Sequence, residues 1–138
     1  MNITDKELNI FSRQLILKEF DERNFTFIQK QNIVIIGMGG IGCPLAQYLI
    51  RSGIKKLTII DNDIVKISNL NRQILYSIND LGLKKVEIAK KILTDINPNS
   101  LIKIYNKKIN QKNIEKIIKK PSLVVDATDN WKSMNVIN

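Results

Sequence analysis

The residues with the clearest chemical potential form a glycine-rich turn in the first third of the chain. Gly37, Gly39, Gly40 and Gly42 satisfy the pattern G-x-G-x-x-G and follow the apolar run at 33–36. Glycines at these positions allow a tight turn and let a phosphate approach the backbone without interference from a Cβ atom. A helix that follows such a turn offers unpaired N–H groups and the positive end of its dipole to an anion. The pattern therefore predicts a nucleotide-binding turn, without naming the nucleotide.

A carboxylate, Asp61, ends the next apolar run at residues 57–60. In dinucleotide-binding proteins an acidic residue in this place accepts hydrogen bonds from ribose hydroxyls. The competing explanation is that Asp61 caps a turn. The glycine turn and Asp61 together fit an NAD-dependent oxidoreductase about as well as an ATP-binding protein.

Three polar clusters separate these two nucleotides. They are Phe11-Ser12-Arg13-Gln14, then Ser68-Asn69-Leu70-Asn71-Arg72-Gln73 followed by Lys85, and finally Asp126-Ala127-Thr128-Asp129-Asn130. Cations such as Arg72 and Lys85 spread the charge of linked phosphates. A carboxylate such as Asp129 holds a magnesium ion that keeps most of its ligands as phosphate oxygens and water. NAD needs neither the cations nor a metal, so the clusters favour a triphosphate.

Each of these residues also has an ordinary structural explanation when it is considered alone. Arg13 is then a surface arginine on an amphipathic helix, and Arg72 and Lys85 are solvated charges. Asp129 with Asn130 would cap the helix that follows. The combination, rather than any single residue, carries the hypothesis of a triphosphate site.

The elements that must position these residues alternate between short apolar runs and amphipathic stretches, which indicates a parallel sheet with crossover helices. We predict strands at 33–36, 57–60, 101–105 and 123–125. We predict helices at 5–20, 24–30, 43–52, 84–95, 111–119 and 130–138, with an irregular polar segment at 62–81. Because ligands of such sheets bind outside the carboxyl ends of the strands, the three motifs that follow strands are expected to converge. The fold class is therefore α/β, a Rossmann-like parallel sheet with flanking helices, truncated after about four strands.

The composition narrows the functional class further. The chain has 138 residues, a normal size for one domain, and a formal net charge of +9. Its basic residues are scattered rather than interleaved with stacking aromatics, so we expect no nucleic-acid partner. The N-terminus does not look like a signal peptide and the apolar runs are too short to span a bilayer, which predicts a cytoplasmic protein without membrane contact. Cys43 is the only cysteine, so this chain alone cannot build a multi-cysteine zinc site, and the absence of histidine removes the commonest acid–base catalyst of an oxidoreductase.

The combined motifs resemble those of the ThiF/MoeB/HesA adenylyltransferases, relatives of the ubiquitin-activating enzymes. The resemblance runs from about Phe11 to Asn138 and rests on F-S-R-Q, G-M-G-G-I-G, D-N-D, S-N-L-N-R-Q, G-L-K-K-V and D-A-T-D-N. It implies that the glycine turn lies under ATP, that Asp61 binds the ribose and that Asp129 binds Mg²⁺. The implied ATP-binding set also contains Asn69, Arg72, Gln73, Lys85 and Asn130. The implied catalytic residues are Arg72, Lys85, Asp129 and Arg13, the last reaching the phosphates of the neighbouring subunit in a homodimer.

The activity that the resemblance implies is adenylation of a protein carboxylate. A ubiquitin-like sulfur carrier of the thiamine or molybdopterin type, ending in Gly-Gly, would attack the α-phosphate of ATP with its C-terminal carboxylate. Residues 1–138 would form a single ATP-binding adenylation domain, with N-terminal helices over 1–30 and a nucleotide-binding βαβ core over 31–138. Family enzymes continue beyond this point, so we expect the C-terminal part of the family domain to be absent and catalysis to be incomplete. Two alternatives stay open: an NAD-dependent Rossmann oxidoreductase, and a non-catalytic nucleotide-binding remnant that dimerises.

Overall fold

The computed structural model describes residues 3–129 and residue 136. Four strands, β1 (Asn32–Ile36), β2 (Lys56–Ile60), β3 (Leu101–Tyr105) and β4 (Leu123–Asp126), form one parallel sheet in the order β3-β2-β1-β4. The helices are α1 (Asp5–Leu15), α2 (Glu22–Lys30), α3 (Gly42–Arg51), α4 (Lys85–Ile96) and α5 (Ile114–Ile117). The predicted α/β class and the four predicted strands are confirmed. The helix predicted at 130–138 lies outside the described residues, apart from residue 136.

The register of the sheet brings the ends of its strands level with one another. Ile36, the last residue of β1, lies opposite Ile60 of β2 and Asp126 of β4, and Ile60 lies opposite Tyr105 of β3. The segments that follow the four strands therefore all begin at one edge of the sheet, the carboxyl edge. This register is the reason why residues distant in sequence can share one site.

Burial of branched aliphatic side chains stabilises the sheet. β1 and β2 are buried over nearly their whole length, as expected for parallel strands covered by crossover helices. On one face Ile35 and Ile59 pack in a core cluster with Leu93 of α4, and all three have no exposed surface. A smaller cluster around Val34 and Ile109 is separate from this core. Each fully buried aliphatic side chain contributes roughly 1.5–3 kcal/mol relative to an exposed one.

The N-terminal helix is shorter than the sequence predicts. Its start is fixed by a capping box, in which the Thr4 hydroxyl accepts the N–H of Glu7 and the Glu7 carboxylate accepts the N–H of Thr4. The helix ends at Leu15, and the predicted span up to residue 20 finishes as a separate 3₁₀ turn at Lys18–Phe20. The chain must turn there because Asp21 caps α2, accepting the N–H of Asn24 at 2.8 Å.

The helix predicted at 111–119 shrinks to the single turn of α5 for a local reason. The side chain of Asn110 accepts the N–H groups of Lys112 and Asn113, and the side chain of Asn113 accepts the N–H of Asn110. These bonds compete with helical ones and hold residues 110–113 in a turn. The segment at 62–81 is irregular as predicted, with 3₁₀ turns at Ile67–Asn69 and Ile78–Asp80.

No helix within the described part of the chain is both long enough and apolar enough to cross a membrane.

Candidate nucleotide-binding site

A cleft of about 730 Å³ opens at the carboxyl edge of the sheet. Its walls come from the glycine turn, the segment after β2, the first residue of α4 and the loops after β3 and β4. Of the residues predicted from sequence, the cleft is lined by Gly37, Gly39, Gly40, Asp61, Asn69, Arg72, Gln73, Lys85 and Asp129. The convergence expected of the three motifs that follow strands is therefore present in the structure.

The four glycines of the turn have two different structural roles. Gly37 has φ +96°, and a Cβ placed on it would lie 2.7 Å from the carbonyl oxygen of Ala127. A Cβ on Gly42 would collide with the carbonyl oxygen of Gly37, so these two glycines are required by the turn itself. A Cβ on Gly39 or Gly40 would meet nothing closer than 3.5 Å within the described structure. Since Gly39 and Gly40 line the cleft, they leave a space that any side chain would fill, which fits a nucleotide lying against the turn.

Asp61 fastens the glycine turn to the end of β2. Its Oδ2 accepts the N–H of Met38 at 2.7 Å, and its Oδ1 accepts the N–H of Asp63 at 2.7 Å. The turn-capping role that the sequence left open is thus observed. Each carboxylate oxygen has a second lone pair, so the residue can still accept a bond from a ribose hydroxyl.

Met38 is the second anchor of the turn. Its carbonyl oxygen accepts the Cys43 thiol at 3.4 Å and the Tyr76 hydroxyl at 3.1 Å. Burial raises the pKa of the Cys43 thiol and also that of the Tyr76 hydroxyl, so both groups stay protonated as donors near neutral pH. Cys43 is a structural donor here.

Lys85 is the buried cation of the cleft. It opens α4, only 6% of its side chain is exposed, and its Nζ lies 3.2 Å from Oδ2 of Asp63. The backbone N–H of Lys85 also donates to the carbonyl of Asp63 at 3.0 Å. An ammonium in this position offers charge-assisted hydrogen bonds to an anion in the cleft.

Arg72 is an exposed cation of the cleft. Its Nη1 donates to the carbonyl of Ser68 at 2.9 Å and to Oδ1 of Asn71 at 3.0 Å. The aliphatic part of the side chain lies over Gly40, where a Cβ would come within 3.5 Å of it. The guanidinium therefore stands beside the open half of the glycine turn, with donors left over for a phosphate.

Two amide side chains line the floor of the cleft. Asn69 uses its Oδ1 to accept the N–H of Lys66 at 3.0 Å, which leaves its amide N–H groups for a ligand. Gln73 is 3% exposed, and its Oε1 has no hydrogen-bond partner among residues 3–129. A buried polar atom without a partner costs roughly 1–3 kcal/mol, so it marks a place where a ligand or water supplies the partner.

Asp129 is exposed and lines the cleft after β4. The loop that carries it is shaped by Asp126, whose Oδ1 accepts the N–H and the hydroxyl of Thr128 at 2.9 and 2.7 Å. Over the described ranges, no group of three or more His, Cys, Asp or Glu side chains is arranged to hold a metal ion. A lone carboxylate fits Mg²⁺ only when phosphate oxygens and water supply the other ligands.

The structure adds lining residues that the sequence interpretation missed. The D-N-D motif contributes Asn62 and Asp63 in addition to Asp61, and the loop after β3 contributes Lys107 and Lys108. The rule that ligands bind at the carboxyl ends of strands applies to β3 as well. Applied to β3, it would have brought the two lysines to the same edge.

Two predicted residues, Arg13 and Gly42, lie outside this lining, and a third, Asn130, falls outside the part of the chain that the structure describes. Arg13 is exposed on α1, whose Glu7 is paired at 2.7 Å with Lys55, just before the amino end of β2. Gly42 stands behind the turn. The fold therefore does not bring Arg13 into the cleft of its own chain.

Comparison with known proteins agrees with this geometry. The probable molybdopterin-synthase adenylyltransferase of Porphyra purpurea is 41% identical over 133 residues, which cover 96% of this chain and 35% of that protein. The molybdopterin-synthase adenylyltransferase of Escherichia coli K12 is 38% identical over 136 residues, covering 99% of this chain and 55% of that protein. Among solved structures, the E. coli tRNA N6-threonylcarbamoyladenosine dehydratase in complex with ATP matches with a TM-score of 0.90 at 27% identity, covering 99% of this chain and 56% of that one.

The chain thus spans between about a third and just over half of the length of these relatives. The sequence profile of the ThiF family matches residues 11–138, a range that contains the whole sheet and every residue lining the cleft. On that match, the chain belongs to the ThiF family.

Proposed function

We propose that this chain binds ATP with Mg²⁺ in the cleft and that the protein uses it to adenylate a carboxylate. The observation that carries the proposal is that an open glycine turn, at Gly39 and Gly40, lines the same cleft as two cations and a carboxylate. The cations are Arg72 and Lys85, and the carboxylate is Asp129. This mixture suits a triphosphate, whose charge needs donors around it and a hard cation beside it.

Each wall of the cleft has a proposed part in binding. Asp61 accepts the ribose hydroxyls at the end of β2, while the glycine turn lies under the phosphates. Lys85, Arg72 and Asn69 donate to phosphate oxygens, and Gln73 supports them from the buried floor. Asp129 holds Mg²⁺, which draws electron density from the phosphates when it is bound, and Asn130 belongs to the same proposed set. Residues 1–138 act as one ATP-binding adenylation unit.

The proposed reaction is attack of an ionised carboxylate on the α-phosphate of ATP. A bond forms between the carboxylate oxygen and phosphorus, the bond to the bridging oxygen breaks, and pyrophosphate leaves with that electron pair. The attacking group is already deprotonated, so no general base is required of the chain. Catalysis then comes from holding the two reactants in line and from stabilising the charge that moves onto pyrophosphate.

The proposed carboxylate is the C-terminal glycine of a ubiquitin-like sulfur carrier, of the molybdopterin or thiamine type. Relatives that match nearly the whole of this chain are named molybdopterin-synthase adenylyltransferase and, in Thermus thermophilus, sulfur carrier protein adenylyltransferase. In a homodimer, Arg13 on the exposed face of α1 reaches the phosphates bound by the neighbouring subunit. That placement is consistent with its position outside the cleft of its own chain.

The proposal is tested first by binding and then by turnover. Calorimetric titration should detect ATP with Mg²⁺ and give no heat with NADH, whereas the reverse result would favour an oxidoreductase. Any exchange between ATP and labelled pyrophosphate should then depend on the addition of a carrier ending in Gly-Gly. A folded chain that binds no nucleotide would support the non-catalytic alternative and remove the proposal.

Replacement of Arg72 gives the sharpest variant. Arg72→Ala should lower carrier-dependent exchange by about 10²-fold, the usual consequence of losing one preorganised charge contact. Arg23→Ala is the matched control, because Arg23 is an exposed arginine on α2 that does not line the cleft. Equal rates for the two variants would contradict the role given to Arg72.

A second acceptor is a carboxylate carried by tRNA. The tRNA dehydratase that matches this fold is named for a threonylcarbamoyl-modified tRNA and has been crystallised with ATP and with AMP. The net charge of +9 is compatible with a polyanionic acceptor, but the scattered basic residues gave no reason to expect one. If tRNA bearing that modification, rather than a carrier, starts the exchange reaction, the second acceptor replaces the first.

A further inference from the structure

Lys85 is unusual for a lysine, because nearly all of its side chain is buried although it lines the cleft. Only 6% of its side chain is exposed, while the carboxylate it faces, that of Asp63, is 57% exposed. Asp63 is the one carboxylate within salt-bridge distance of Lys85 in the described structure. A buried ammonium without a counter-charge is strongly unfavourable, so in the absence of a ligand the cleft depends on Asp63 to keep this cation in place.

Asp63 is itself held at three points. Its N–H donates to Oδ1 of Asp61 at 2.7 Å, and its carbonyl accepts the N–H of Lys85 at 3.0 Å. Its Oδ2 then meets the Nζ of Lys85 at 3.2 Å. Asp61 in turn accepts the N–H of Met38 in the glycine turn. A continuous path of hydrogen bonds therefore joins the glycine turn, the end of β2 and the start of α4.

We infer that Asp63 is a positioning residue, which aims the ammonium of Lys85 into the cleft before an anion arrives. The inference rests on the proposed function only in naming that anion as a phosphate of ATP. Because the Asp63 carboxylate is mostly solvated, it can give up the ammonium to a phosphate and return to water at little cost. Lys85, whose side chain is almost entirely buried, keeps its orientation only while one of the two anions is present.

A neighbouring ion pair shows what this arrangement adds. Lys84 and Glu87 lie 2.9 Å apart on the same stretch of chain, and their side chains are 50% and 53% exposed. Neither residue lines the cleft, and water can replace either partner. Glu87→Ala is therefore a matched control for Asp63→Ala, because each variant removes the carboxylate partner of one lysine. Only Asp63→Ala leaves a buried lysine without its partner.

The first experiment needs no nucleotide. The full chain is treated briefly with an amine-acetylating reagent, and modification at Lys85 is followed by mass spectrometry with fragmentation that separates it from Lys84. Asp63→Ala should raise the rate at Lys85 about tenfold, because the charged hydrogen bond that holds the ammonium is lost. Glu87→Ala should leave Lys85 unchanged. Asp63→Asn, which keeps the size of the side chain and removes its charge, should give an intermediate rate and guards against misfolding of the alanine variant.

The second experiment links this effect to ATP through a double-mutant cycle. Calorimetry gives the ATP affinity of the parent chain, Asp63→Ala, Lys85→Met and the double variant. Asp63→Ala should weaken ATP about tenfold in the parent and less than twofold when Lys85 is already methionine. Equal losses in both backgrounds would mean that Asp63 acts independently of Lys85, and would overturn the inference.

The two experiments separate two kinds of failure. If acetylation responds as expected but the parent chain binds no ATP, the proposed function fails and the positioning of Lys85 by Asp63 stands. If acetylation of Lys85 is the same with and without Asp63, the positioning role is wrong whatever the chain binds.

Discussion

Two lysine–carboxylate pairs lie near opposite ends of β2, and their burial is reversed. Near the amino end, Glu7 is the buried partner, with 10% of its side chain exposed, and Lys55 is 34% exposed. At the carboxyl edge, Lys85 is the buried partner at 6% and Asp63 is 57% exposed. The first pair is closed at 2.7 Å and the second is looser at 3.2 Å. The two salt bridges therefore differ in which charged side chain is buried: the carboxylate near the amino end and the ammonium at the carboxyl edge.

The buried carboxylate of Glu7, near the amino end of β2, already has hydrogen-bond and salt-bridge partners within the chain. Besides Lys55, Glu7 accepts the side-chain amide of Gln29 at 2.9 Å, and the N–H and hydroxyl of Thr4 at 3.2 and 3.0 Å. It therefore joins α1, α2 and the start of β2 as a structural contact. The buried ammonium at the carboxyl edge has one acidic partner within the described structure and faces a cleft, so it is ready to receive an incoming anion.

The largest expected effect comes from removing the lysine of each pair. Lys55→Met leaves the buried Glu7 carboxylate without its cation and should lower the free energy of unfolding by about 3 kcal/mol, with ATP affinity unchanged. Lys85→Met leaves only an exposed carboxylate, so unfolding should change by less than about 1 kcal/mol, while ATP affinity falls about 10²-fold. Urea unfolding and ATP calorimetry on both variants measure the two effects. The contrast is wrong if both variants lose stability and affinity alike.

A smaller effect is expected on the stability of the glycine turn at the carboxyl edge. Gly37→Ala places a Cβ 2.7 Å from the Ala127 carbonyl at φ +96°, and should destabilise the chain by about 2–3 kcal/mol. Gly82 has φ +81°, but a Cβ there meets no described atom within 4 Å. Gly82→Ala should therefore cost only the conformational part, about 1 kcal/mol. Thermal unfolding of the two variants separates the cost of backbone strain from the cost of the steric collision. Equal losses of stability would show that the collision at Gly37 contributes nothing.

The next prediction is a change that weakens ATP binding and leaves the stability of the fold unchanged. Gly39→Ala adds a methyl group to the open half of the turn, where the nearest atom, Nε2 of Gln73, is 3.9 Å away. The melting temperature should stay within the error of the parent value, while ATP binds about tenfold more weakly because the methyl group occupies the space of the nucleotide. Calorimetry together with thermal unfolding checks both halves. A loss of stability equal to that of Gly37→Ala would show that Gly39, like Gly37, is required by the turn itself.

The sequence predicted those parts of the molecule where one local pattern decides the structure. Residues 33–36 and 57–60 are continuously apolar and rich in β-branched side chains, and they form central parallel strands. The glycine spacing predicted the turn between β1 and α3. Since strand ends are level in a parallel sheet, the convergence of Arg72, Lys85 and Asp129 on one edge also followed from sequence order.

The features that the sequence did not predict depend on competition between local and distant contacts. Leu8 is apolar and yet 40% exposed, whereas Glu7 is buried because three partners compensate its charge. The side-chain hydrogen bonds of Asn110 and Asn113 shortened α5, and helix propensity alone gives no measure of that competition. The ion pair of Asp63 with Lys85 joins the segment after β2 to the start of α4, so no local sequence pattern predicts it.

The smallest effect is a pH dependence that belongs to the amino-end pair alone. The ammonium of Lys55 lowers the pKa of Glu7 to about 2 from an ordinary value of 4.5, with help from Thr4 and Gln29 and against the cost of burial. Because the folded pKa lies below the unfolded one, this stabilisation is complete above pH 4.5 and is lost as the pH falls towards 2. Glu7→Gln should therefore be less stable than the parent chain by about 1 kcal/mol at pH 6, a difference that narrows steadily below pH 4.5. Urea unfolding of both proteins between pH 6 and pH 2.5 measures it, and a constant difference across that range would assign the contribution of Glu7 to its packing, with no share for its charge.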